Sequence, residues 1–160
     1  MYQPYPTGAQ MPEIQRPPVP SQVQNAVKVM YAGAAASLLG IAVGIITVNA
    51  TKSSLEKHSP HLSVSQLNAS GHALIAGSAI SGVIAAVLWI FLARNCLAGR
   101  NWARLTGTVL FAIATINVVG GAIAPLAGAV KIWEAVVWLI GLTAVVLLWR
   151  RPSSEFFTGA

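Results

Sequence analysis

The sequence predicts an all-α fold, an antiparallel four-helix transmembrane bundle. Hydrophobic residues make up 55% of the 160 residues and charged residues only 9%, against about 25% charged residues in a typical soluble domain. Four apolar segments, each long enough to cross a bilayer as a helix, follow a proline-rich tail. This composition excludes a soluble enzyme, a disordered regulator and a collagen-like or coiled-coil protein.

The N-terminal tail comprises residues 1–22 and holds six of the nine prolines. Proline fixes φ and removes a backbone donor, so we expect a polyproline-like or disordered cytoplasmic segment. The spacing of Pro17 and Pro20 also fits a PxxP ligand, although this pattern is common by chance. Both interpretations, a plain tether and a docking motif, stay open.

The transmembrane domain is predicted over residues 23–152. At a rise of 1.5 Å per residue, a helix of about 20 residues matches the hydrocarbon thickness of a bilayer. Unpaired backbone groups are too costly in lipid, so each apolar segment must be helical. The predicted spans are 29–48, 73–93, 105–124 and 132–149. The first is longer than the apolar part of a signal peptide, which favours an uncleaved anchor helix over cleavage after Ala50.

The connections between the spans are predicted from turn residues. Residues 49–72 should form an outer loop, in which Ser59 and Pro60 cap a brief helix over residues 62–67. Pro125 and Gly128 indicate a tight outer turn, which would make the third and fourth helices antiparallel neighbours. Residues 153–160 should form a short cytoplasmic tail.

The orientation follows from the distribution of Lys and Arg, which favours the cytoplasmic side of membrane proteins. With an internal N-terminus, seven of the ten cations lie inside and three lie outside. Both termini should therefore be cytoplasmic. The residues expected to set the topology and reach lipid headgroups are Arg94, Arg100, Arg104, Arg150 and Arg151.

Small residues one turn apart indicate where helices pack closely. Gly40 and Gly44 form a GxxxG pattern in the first span, and Ser78 and Gly82 form a similar face in the second. These faces could serve packing inside the bundle or self-association. Asn117, near the middle of the third span, should face the interior and hydrogen-bond a hydroxyl on another helix. A polar site on a permeation path is the alternative for this residue.

Other polar residues have local explanations. Lys131 and Glu134 should pair at i, i+3, although a buried Glu134 could instead bind a proton or a cation. His58, His61 and His72 lack the fixed third ligand of a metal site, and the single Cys96 excludes a disulfide framework within the chain. No nucleotide-binding or hydrolase motif is present, so we expect no catalytic residue, no cofactor, no metal and no nucleic-acid partner.

Three stretches resemble a loose class of small actinobacterial membrane proteins with a Pro/Tyr-rich tail and four helices. They are the tail 1–20, the segment Arg100-Asn101-Trp102-Ala103-Arg104, and the stretch from Val136-Val137-Trp138 to Arg150-Arg151-Pro152. The resemblance implies a bacterial plasma membrane and supplies no catalytic residues.

The function expected from these observations is non-enzymatic. The protein would be a membrane interaction or scaffold protein that acts through helix contacts and its cytoplasmic tail. Its partners would be the lipid bilayer and either a second copy or another membrane protein. The alternative is a small oligomeric transporter or channel subunit, lined by Asn117 and hydroxyl groups.

Overall fold

The computed structural model describes residues 19–124 and 126–158. These residues form five α-helices and, within these ranges, no strand, which confirms the predicted all-α class. The helices are α1 (Ser21–His58), α2 (Val64–Leu97), α3 (Asn101–Ile123), α4 (Gly128–Leu148) and α5 (Arg151–Thr158). Four of them, α1 to α4, are long and apolar enough to cross a membrane. The predicted PxxP pattern begins at Pro17, outside the described residues.

The first two helices are longer than their predicted spans. α1 has 38 residues and α2 has 34, whereas α3 has 23 and α4 has 21. The predicted outer loop over 49–72 is therefore wrong, because most of it continues α1 or begins α2. No Gly or Pro interrupts the chain between Gly44 and Pro60. The hydroxyls of Ser53 and Ser54 donate to the carbonyls four residues earlier, so these polar side chains are satisfied within the helix.

The turn between α1 and α2 is capped at a different serine from the predicted one. Ser63, rather than Ser59, is the N-cap of α2. Its hydroxyl accepts from the backbone N–H of Gln66, and the Gln66 side chain accepts from the N–H of Ser63 at 2.8 Å. This reciprocal pair of hydrogen bonds is a capping box, and its pattern Ser-x-x-Gln is present in the sequence at Ser63 to Gln66. The prediction based on Ser59 and Pro60 did not use this pattern.

α1 is the central helix of the fold. It packs most extensively on α2 and then on α4, while α3 packs mainly on α4 and touches α2 only lightly. Later positions in α1 meet earlier positions in α2: Ile41 lies against Gly82, and Lys52 donates to the Asn68 side chain at 3.2 Å. Later positions in α3 likewise meet earlier positions in α4. This arrangement leaves the seam between α2 and α3 the most open of the four sides.

The tightly packed part of the molecule lies at one end, where α5 closes the bundle; we call it the packed end. Val23 of α1, Cys96 of α2 and Leu148 of α4 are almost fully buried there. The last helix contributes Phe157, which belongs to the same apolar cluster, and Ser153, whose hydroxyl donates to the Leu147 carbonyl at 2.8 Å. The predicted short tail after residue 152 is thus a helix docked on the bundle as far as residue 158.

Candidate functional site: a cavity between the four long helices

The space between the four long helices holds a cavity of about 600 Å³, the inner cavity, lined by residues of all four. A second cavity of about 590 Å³, the outer cavity, lies toward the extended ends of α1 and α2. The two share five lining residues, which are Gly44, Ser78, Ser81, Val130 and Glu134. Volumes between roughly 300 and 1,000 Å³ are typical of small-molecule sites. The bundle therefore has a partly open space of ligand size between its helices.

The predicted small-residue faces lie between helices of the same chain. A Cβ on Gly82 would come within 2.9 Å of the Ser37 carbonyl oxygen, and one on Gly44 would come within 3.0 Å of the Ser78 hydroxyl. A Cβ on Gly40 would come within 2.9 Å of the Trp133 ring nitrogen. The GxxxG pair therefore contacts two different helices, with Gly44 against α2 and Gly40 against α4.

Four aromatic rings line the inner cavity, and the sequence analysis did not assign them there. They are Trp89, Phe111, Trp133 and Trp138. The rings of Phe111 and Trp138 have centroids 5.6 Å apart, and the Trp138 N–H donates to the Thr115 hydroxyl at 2.9 Å. The buried N–H of Trp133 has no partner among the described residues. A Trp inside a span, such as Trp89 or Trp138, is a signal in the sequence, because its N–H needs a partner away from lipid.

Glu134 lies where the two cavities meet. Its side chain is half-buried and its Oε2 would lie 3.1 Å from a Cβ on Gly121 of α3. The Lys131 ammonium donates to the Ala122 carbonyl at 2.8 Å rather than to the Glu134 carboxylate, so the predicted pair with Lys131 acts through charge and not through a direct ion pair. Within residues 19–124 and 126–158, no hydrogen bond or ion pair engages the Glu134 carboxylate. The carboxylate is therefore free to meet a group inside the cavity.

Asn117 also lines the inner cavity but does not bond another helix. Its side-chain N–H donates to the Ile113 carbonyl of its own helix at 2.9 Å, and the residue is exposed. The expected interhelical partner is absent because an amide at this position can reach the carbonyl four residues earlier at no cost in packing. Ser78 and Ser81 likewise bond carbonyls within α2.

The arginines predicted at the headgroups fall into two groups. Arg94, Arg100, Arg150 and Arg151 are exposed at the packed end. Arg104 is different, because only 7% of its surface is exposed. It donates to the Ser154 hydroxyl at 3.1 Å and lies over the Trp149 ring, because α5 folds over it. The expected headgroup and topology role of Arg104 stays a prediction.

The remaining candidates do not add to this site. His58 contacts the Ser54 carbonyl of its own helix at 2.8 Å, and Cys96 is buried and free. In the described part of the chain no group of three or more His, Cys, Asp or Glu is placed to hold a metal. The chain matches no family model, and no curated protein or solved structure is significantly similar to it. The resemblance to small actinobacterial membrane proteins stays a prediction.

Proposed function

We propose that this chain is an integral protein of the plasma membrane, an antiparallel four-helix bundle with both termini in the cytoplasm. The opposed contact order of α1 and α2 supports the antiparallel arrangement. The charge distribution supports the orientation. Exposed cations of three helices and of two turns gather at the packed end, while Lys52, Lys57 and Lys131 lie toward the other end.

The proposed role is non-enzymatic interaction with another membrane protein or a second copy, through helix contacts and the cytoplasmic end. The observation that carries this proposal is the docked helix α5. It turns the packed end into an ordered surface, because Phe157 and Ser153 are buried while Arg150 and Arg151 beside them are exposed. A fixed cationic surface suits the recognition of an acidic partner.

Co-purification in a mild detergent tests this role. The full chain, a variant lacking residues 2–18 and the double variant Arg150→Gln, Arg151→Gln would be compared. We expect one protein or a second copy to co-purify stoichiometrically with the full chain, and the double variant to lose it. The melting temperature of each variant separates lost binding from lost folding. Purification as a lone monomer under all conditions would contradict the proposal.

A transporter or channel subunit is the second candidate function, and the inner cavity favours it. The space is lined by all four helices and by Asn117, which is the residue expected on a permeation path. Flux through proteoliposomes would be compared for the full chain, Asn117→Gln and Asn117→Leu. Equal flux in the two variants, or none above empty liposomes, would argue against this candidate.

A further inference from the structure

We propose that the inner cavity is a binding site for a lipophilic organic cation, a molecule with one positive nitrogen or phosphorus centre on an apolar body. This ligand site goes beyond the proposed interaction role. It rests on the proposed function only because it requires the bundle to lie in a membrane. The proposal joins three features of the described residues: the cavity volume, the aromatic lining and the unpaired Glu134.

The carboxylate of Glu134 supplies the charge. Among the described residues it is the one acidic group lining either cavity, and none of them donates a hydrogen bond to it or forms a close ion pair with it. The adjacent cation, Lys131, is engaged by the Ala122 carbonyl. Lys131 compensates this charge from one turn away without touching the carboxylate, so a ligand that brings a positive charge into direct contact would stabilise it further.

The aromatic lining supplies the second element of recognition. Trp89, Phe111, Trp133 and Trp138 border the same cavity, contributed by α2, α3 and α4. The faces of such rings attract cations, most strongly when water is excluded. Glycines make room for two of these rings, since a Cβ on Gly33 would lie 2.8 Å from the Trp89 ring and one on Gly141 would lie 3.0 Å from Phe111.

The size and the access of the cavity determine the class of ligand. About 600 Å³ accommodates a drug-sized molecule rather than a metal ion. The seam between α2 and α3 has few contacts, so an apolar molecule dissolved in the bilayer has a lateral route to the cavity. A hydrophilic cation would gain little from these walls. The site therefore suits an amphiphilic cation that partitions into lipid first.

Equilibrium dialysis of the detergent-solubilised full chain against tetraphenylphosphonium tests the proposal, with tetraphenylborate as the anion of the same shape. We expect saturable binding of about one cation per chain and no saturable binding of the anion. Glu134→Gln should weaken cation binding by about tenfold or more, the loss that follows when one partner of a desolvated charge pair is neutralised. The matched control Glu56→Gln removes an exposed carboxylate and should change affinity by less than about twofold.

A second pair of variants keeps the test valid should Glu134→Gln fail to fold. Ala112 and Ala114 are both exposed on the same helix, but only Ala114 lines the inner cavity. Ala114→Phe should reduce cation binding by filling the space, while Ala112→Phe should not. Equal binding of cation and anion, no saturable binding of the cation, or unchanged affinity in both Glu134→Gln and Ala114→Phe would overturn the proposal. None of these results would affect co-purification of a protein partner.

Discussion

The guanidinium carbon of Arg104 lies 4.3 Å from the centroid of the Trp149 ring. This contact joins the first turn of α3 to the residue that ends α4. The same guanidinium is 5.4 Å from the Phe157 ring and donates to Ser154, so it also holds α5 in place. One buried side chain therefore connects three helices at the packed end.

Replacement of Arg104 by Gln should detach α5 from the bundle. The variant loses two cation–ring contacts and a hydrogen bond, which together stabilise by about 1–3 kcal/mol. The melting temperature in detergent should fall and the amides of residues 151–158 should exchange faster. Arg100→Gln is the control, because Arg100 is exposed and bonds only the nearby Asn95. Similar losses in the two variants would contradict the role assigned to Arg104.

Helix packing between α1 and α2 should be most sensitive at Gly82. A Cβ there would lie 2.7 Å from the Ile41 side chain and 2.9 Å from the Ser37 carbonyl oxygen, and the backbone oxygen cannot rotate away. Gly82→Ala should therefore destabilise by about 1–3 kcal/mol. Gly77→Ala on the same helix is the control, since a Cβ there meets nothing within 4 Å. Thermal unfolding in detergent compares the two, and a smaller loss at Gly82 than at Gly77 would refute the packing.

The start of α2 should depend on Ser63 rather than on Ser59. Ser63→Ala removes the side chain that accepts the Gln66 N–H and should cost about 1 kcal/mol. Ser59→Ala should cost less, because no capping bond of its side chain starts α2. Hydrogen exchange of the first turn of α2 measures the difference. Equal protection in both variants would mean that the capping box does not fix this end.

The fold class and the four spans could be predicted because they depend on composition and on the length of apolar segments. The extension of α1 and α2 beyond the predicted spans could not be predicted in this way. Residues 49–58 are mostly polar, which suggests a loop, but they contain no Gly or Pro to break the helix. The Ser hydroxyls that bond back to their own helix remove the cost of that polarity.

Only part of the candidate site could be predicted. The small residues at helix contacts can be predicted because their spacing of one turn is a property of a single helix. They are Gly40, Gly44, Ser78 and Gly82. The partners of Arg104 and Glu134 depend on contacts between distant segments. Arg104 meets α5 because the chain turns back after Trp149, and Glu134 lacks a direct ion pair because Lys131 reaches a carbonyl of α3. Neither contact can be predicted from the residues that are close to Arg104 or Glu134 in the sequence.

The most direct test of the proposed membrane bundle is the side on which its two ends lie. In a Cys96→Ala background, single cysteines would be introduced by His61→Cys between α1 and α2 and by Ala98→Cys between α2 and α3, both at exposed positions. A membrane-impermeant maleimide would be applied to intact cells and to permeabilised cells. We predict labelling of His61→Cys in intact cells and of Ala98→Cys only after permeabilisation. Labelling of Ala98→Cys in intact cells, or equal labelling of both positions, would contradict the account.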